Sequence, residues 1–186
     1  GGICKPRSGK SGAMDKNKLA FRIQMVAVVL LAGLALVLGN SMRERVVVVG
    51  DSAPSFTVTT DHGRQVSTKE FGGKVLVVNF WATWCPPCVE EMPSLQAMAQ
   101  QLGPKGVVVL GVSVDKNGAS YKRFLDQARV TFETSRDPEA NISADYGTFK
   151  YPETYIIDRD GKVRQKIIGP QDWTAPEVIR SIEALL

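Results

Sequence analysis

Polar and apolar positions divide the chain into one long apolar block near its start and a succession of short alternating elements after it. Residues 23–39 number seventeen with Gln24 as the only strongly polar member, near the short end of what spans a bilayer core. Residues 55–59 and 64–67 alternate around Asp61-His62-Gly63 and predict a β-hairpin. An apolar, β-branched run beginning at Val75, bounded by Gly73 and a polar turn, reads as a buried strand. A second continuous apolar run, 107–114, reads as a strand of a sheet covered on both faces. Between them Leu95 and Met98 lie on the apolar face of a helix predicted from Pro86 to about Leu102, stopped by Gly103-Pro104.

The remaining pattern predicts helices over 119–129, 140–146 and 175–185, and a short strand near Phe132. Two further strands, 154–157 and Val163–Ile168, are joined by Asp160-Gly161. Ser67 and Glu70 fit a capping box opening a one-turn helix that ends at Gly72-Gly73, and 46–49 reads as an edge strand or simply extended chain. Alternating βαβ followed by a hairpin and a helix makes an α/β three-layer α/β/α sandwich, with the first hairpin as an N-terminal addition.

Composition, 44% hydrophobic and 23% charged, is that of a globular chain. The net charge of +4 is unevenly placed: residues 1–45 hold eight Lys/Arg against two Asp/Glu, leaving 15 against 17 for the rest. The part beyond Arg45 is nearly neutral, which argues against nucleic-acid binding through a basic face. The basic excess belongs to the flank of the apolar block, where Lys16, Lys18 and Arg22 precede it and Arg43 and Arg45 follow. That asymmetry puts the N-terminus in the cytoplasm and the domain outside. Leu38-Gly39-Asn40-Ser41 is a poor cleavage site, so the block reads as an uncleaved signal-anchor. The expected division is a basic cytoplasmic segment over 1–22, a transmembrane anchor over 23–39, a linker over 40–48 and one domain over 49–186. Met14 resembles a natural start, which makes 1–13, with Cys4, an upstream extension.

The other two cysteines, Cys85 and Cys88, are too few for a disulfide framework or a four-ligand zinc site. They stand where a predicted strand hands over to a predicted helix. First-turn N-H groups of a helix lack intrahelical partners and carry partial positive charge, so a thiolate at Cys85 is stabilised there, and the thiolate is the species that attacks a disulfide. Cys88, one turn deeper, is placed to resolve the mixed disulfide. Pro86 and Pro87 remove two successive N-H donors from the turn facing Cys85, so the expected thiol is only moderately acidic and the pair closer to a reductant than to a strong oxidant. Alternatively the prolines merely rigidify the helix start. Glu91, three residues after Cys88, shares its helix face. Read from spacing alone it is a solvated acid favouring a helix N-terminus. His62, the only histidine, sits in a turn and reads as a surface residue.

Trp84-Cys85-Pro86-Pro87-Cys88, with Asn79-Phe80-Trp81-Ala82-Thr83 before it and Glu90-Glu91-Met92-Pro93 after it, resembles the membrane-anchored thioredoxin-like thiol:disulfide oxidoreductases of the TlpA, ResA and DsbE/CcmG type. The resemblance runs from about Val49 to the C-terminus and implies a thioredoxin fold. It assigns proton transfer to Glu91, with Asn79 where cytoplasmic thioredoxins keep a buried aspartate. It makes Pro93 a helix kink and Pro152 a cis-proline facing the cysteines, with Trp84, Pro86, Pro87, Tyr151 and Pro152 as substrate-binding surface. It further implies protein disulfides as substrates, apocytochrome c foremost, a membrane electron donor of the CcdA/DsbD type, and no cofactor beyond the Cys85-Cys88 disulfide. Two other readings of the same residues stand beside it: a disulfide oxidant or isomerase, and a non-enzymatic Cu(I) chaperone using the two thiolates as soft ligands.

Overall fold

The computed structural model describes residues 16–41 and 46–186. The upstream extension with Cys4, and the 42–45 part of the linker, lie outside the described residues. Contacts divide the chain into two units, Gly1–Arg43 and Glu44–Leu186. In the first, α1 spans Lys16–Ser41. Its apolar stretch Lys18–Val37 is 20 residues long with mean hydropathy 2.2 and no buried residue, long and apolar enough to cross a membrane.

In the second unit β1 (Thr57–Thr59) and β2 (Gln65–Ser67) form an antiparallel hairpin. A five-stranded sheet follows, built from β3 (Val75–Trp81), β4 (Val107–Ser113), β5 (Glu133–Arg136), β6 (Glu153–Asp158) and β7 (Val163–Ile168), in the order β5-β4-β3-β6-β7. β3 runs parallel to β4 and antiparallel to β6. All seven residues of β3 are buried, as the centre of the sheet requires. Its alternation sends Val75, Val77 and Trp81 into one core with Met92, Leu95 and Met98 of α2 (Pro86–Leu102) and Ile179 and Ile182 of α5 (Pro176–Glu183). Leu76, Val78 and Phe80 enter the other, with Val66, Tyr146, Tyr155 and Val47. α3 (Gly118–Ala128) adds Tyr121 to the first core, and α4 (Asn141–Asp145) lies before Tyr146.

The predicted elements therefore form, with small shifts at their ends and one difference. The Ser67 hydroxyl does accept the Glu70 N-H at 2.9 Å, but no helix follows. Gly72 takes φ +70° two residues later, and the backbone at Gly73 runs so close to β4 that a Cβ there would meet the Gly106 carbonyl oxygen at 2.7 Å. Residues 46–49 form no strand, although Val47 is buried and its N-H reaches the Tyr146 carbonyl at 3.2 Å. The strand near Phe132 begins one residue later, at Glu133. α2 continues through Pro93 to Leu102.

Candidate active site

The site grows from the end of β3. After Trp81 the chain turns, with the Cys85 N-H donating to the Ala82 carbonyl at 3.2 Å, and Cys85 becomes the N-cap of α2 with extended backbone. The turn is held from β4. Asp115, buried just beyond that strand, accepts the Thr83 N-H at 2.8 Å and the Ser113 hydroxyl at 2.7 Å on Oδ2, and the Thr83 hydroxyl at 2.7 Å on Oδ1. A carboxylate thereby fixes the residue two before the first cysteine.

Cys85 and Cys88 form a disulfide with Cα atoms 5.3 Å apart. Cys85 keeps 6% of its surface exposed and Cys88 none, so an external sulfur can reach only Cys85. Pro86 and Pro87 occupy the first two helical positions and offer no N-H. The Tyr151 carbonyl oxygen lies 3.5 Å from Cys85 Sγ, in a loop whose Tyr151-Pro152 bond is cis. Trp84 is 63% exposed and meets the Tyr151 ring edge-on at 6.0 Å. The structure thus brings Trp84 and Tyr151 together beside Cys85, with Pro86 exposed next to it in the chain. Pro87 is half-buried and Pro152 buried.

Glu91 overturns the reading of a solvated acid. One turn below Cys88 it is 4% exposed, because the helix face it shares with Cys88 and Met92 turns into the core. Its Oε1 accepts the Asn79 side-chain N-H at 2.8 Å, and its Oε2 accepts the Gln171 N-H at 3.0 Å and the Trp173 indole N-H at 3.2 Å. Burial pushes its carboxyl above the ordinary range, and the three hydrogen bonds oppose this in part. Asn79 also donates to the Thr154 hydroxyl at 2.9 Å across the β3-β6 pairing. Ser94 braces the same segment, accepting the Trp173 N-H at 3.3 Å.

On the sheet's other face, Glu153, directly after Pro152, is 1% exposed and pairs with Lys166 at 2.9 Å. Lys166 Nζ also donates to the Val47 carbonyl at 3.1 Å, and the Tyr155 hydroxyl donates to Glu153 Oε1 at 2.6 Å. Among the described residues no group of three His, Cys, Asp or Glu side chains could hold a metal ion. His62 lies half-exposed, 3.5 Å from Glu133.

Sequence reasoning missed Asp115, Gln171 and Trp173. Asp115 carried a signal, an acid just beyond a largely apolar strand. Trp173 carried only its own composition, a large apolar side chain with a polar handle that seeks a partner when buried.

Residues 49–166 match the AhpC/TSA family. The chain is 35% identical over 159 residues to the thiol-disulfide oxidoreductase ResA of Bacillus thuringiensis subsp. konkukian (strain 97-27), covering 85% of this chain and 92% of that protein. It is 34% identical over 131 residues to the thioredoxin-like protein YneN of Bacillus subtilis (strain 168), covering 69% and 76%. Among solved structures, one described as the thiol:disulfide interchange protein DsbE from Chlorobium tepidum aligns with TM-score 0.68 at 29% identity, over 75% of this chain and 98% of that one.

Proposed function

We propose that this chain, which belongs to the AhpC/TSA family and is a thiol-disulfide oxidoreductase of the ResA and DsbE type, works as a reductant of protein disulfides. The observation that carries the direction is the surroundings of Cys85. A strong disulfide donor owes its potential to a stabilised thiolate in the reduced state. Here the first two helical positions lack N-H groups, and a carbonyl oxygen lies 3.5 Å from the sulfur, where its partial negative charge opposes a thiolate. The reduced pair gains little special stabilisation, so electrons leave it readily.

The cycle uses Cys85 as attacking sulfur. Its thiolate bonds to one sulfur of the substrate disulfide and expels the other as a thiolate. Cys88 then passes its thiol proton to the Glu91 carboxylate, attacks Cys85 Sγ, and releases the second substrate thiolate. Substrate gains two electrons, and the protein ends as the Cys85-Cys88 disulfide with Glu91 protonated. Trp84, Pro86, Pro87, Tyr151 and Pro152 form the surface against which the substrate lies, and the cycle needs no bound cofactor.

The basic flank of α1 supports a cytoplasmic N-terminus, an anchor over about 23–39 and an extracytoplasmic catalytic unit. A membrane thiol-electron donor of the CcdA/DsbD type would recharge the disulfide. Similarity to ResA and DsbE proteins supports apocytochrome c as the leading substrate, within cytochrome c maturation. With dithiothreitol as electron source, the full-length protein should accelerate reduction of a disulfide-bonded peptide. Cys85→Ser should abolish this, and Cys88→Ser should accumulate a mixed disulfide through Cys85. A rate no higher than dithiothreitol alone would contradict the reading.

A further inference from the structure

The hydrogen bonds around Glu91 fix where its proton can sit. Oε2 already receives two N-H donors, from Gln171 and the Trp173 indole, and a proton placed there would face donors on the same oxygen. Oε1 receives one donor, the Asn79 amide N-H. Protonation at Oε1 would set an O-H against that N-H, again donor against donor. The Asn79 amide can resolve this where the backbone donors cannot, because it carries an acceptor on its other side. That acceptor, Asn79 Oδ1, is buried and has no hydrogen-bond partner among the described residues. The second partner of Asn79 permits the turn as well. The Thr154 hydroxyl, which now accepts from Asn79 Nδ2, can rotate its hydrogen and donate instead.

We propose that the Asn79 side-chain amide reverses as Glu91 takes up its proton, presenting Nδ2 to the carboxylate and Oδ1 to the carboxylic acid. Asn79 is then a positioning residue that gives both protonation states of Glu91 a satisfied partner, which a group that accepts and returns a proton in every cycle requires. An aspartate there would meet the Glu91 carboxylate with like charge, and an apolar residue would leave Oε1 bare. The inference rests on the reading of Glu91 as the proton acceptor of Cys88. Facing Glu91 are Asn79 from β3, with Thr154 of β6 behind it, Gln171 and Trp173 from the segment before α5, and Cys88 and Ser94 on α2 itself. Of these only Cys88 titrates, and in the disulfide it does not.

The test is a pH titration of the oxidised full-length protein in detergent micelles by nuclear magnetic resonance. The Glu91 side-chain carboxyl carbon and the Asn79 side-chain N-H₂ signals are followed together, the latter assigned by their loss in Asn79→Asp. The two should shift with one midpoint, and contacts from the Asn79 N-H₂ protons to Thr154 should be present at high pH and lost at low pH. In Glu91→Gln the new amide N-H₂ must face Asn79, since Oε still receives the Gln171 and Trp173 donors. The Asn79 signals should therefore hold their low-pH position at every pH. If Glu91 titrates while Asn79 stays still, the reversal is wrong and the proton-transfer reading survives. If the Glu91 carboxyl does not titrate over the pH range in which the protein is folded, both fall.

Discussion

Trp173 donates its indole N-H to Glu91 Oε2 at 3.2 Å, joining two buried residues 82 positions apart in the chain. The contact ties the acid one turn below Cys88 to the segment leading into α5, so the ionisation of Glu91 and the packing of that segment are linked. It also gives Glu91 its unusual position, a carboxyl removed from water yet met only by neutral donors.

A direct consequence concerns stability and pH. The folded-state pKa of Glu91 lies above its ordinary value of 4.5, with burial as the main cause. The native protein therefore holds this proton more tightly than the unfolded chain does. The stabilisation is complete below about pH 4.5 and is lost as pH rises through the folded-state value. Glu91→Gln removes the titration, so wild-type stability measured relative to this variant should decline as pH is raised from the acid side. Parallel stability curves for the two proteins would contradict the assignment.

The two prolines predict a change in thiol acidity. Pro87→Ala returns one N-H to the first turn of α2 without altering the residues around the sulfur. A hydrogen bond to a charged group contributes about 1.5–3 kcal/mol, so the Cys85 thiol should become more acidic by about one pKa unit or more. Alkylation rate of the reduced protein against pH reads this directly. An unchanged profile would show that the prolines serve only to stiffen the helix start.

Asp115 should matter out of proportion to its distance from the cysteines. Asp115→Ala leaves the Thr83 N-H and hydroxyl without their buried acceptor, which should cost about 1–3 kcal/mol of stability. It should also slow disulfide reduction by loosening the turn that carries Trp84 and Cys85. Asp115→Asn, which keeps one acceptor oxygen, should fall between the two, as read by denaturant unfolding alongside peptide reduction.

The Glu153-Lys166 pair makes a prediction about the cis-proline loop. Lys166→Met strands a buried carboxylate beside Pro152, and breaking a buried pair from one side costs about 3–5 kcal/mol. Adding Glu153→Gln should recover most of that loss. If the double variant is as unstable as the single one, packing of the lysine chain rather than its charge is what matters.

How far the chain could be read beforehand follows from the range of the interactions involved. β3 was legible because all seven of its residues are buried and its period sends alternate side chains into two cores, a pattern local to seven positions. The start of α2 was legible because proline fits the first helical position, where its missing N-H costs nothing, and the periodic apolar Leu95 and Met98 follow. The capping box at Ser67 misled because its hydrogen bond forms in a bend as well as in a helix, and the close approach of Gly73 to β4 is invisible from local sequence. The burial of Glu91 was not legible either: spacing put it on the face of Cys88, but only the fold brings Asn79, Gln171 and Trp173 to it. The cis bond at Pro152 followed from the family pattern and not from the dipeptide, since few X-Pro bonds are cis.

The central claim, that this oxidoreductase donates electrons to its substrates, is tested most directly by the equilibrium reduction potential of the Cys85-Cys88 pair in the full-length protein, titrated against dithiothreitol or glutathione buffers. Donors missing from the helix start and a carbonyl oxygen facing Cys85 predict a value more negative than about −220 mV, on the thioredoxin side of the scale. A value near −120 mV, on the order of a strong disulfide donor, would reverse the direction of electron flow and contradict the account.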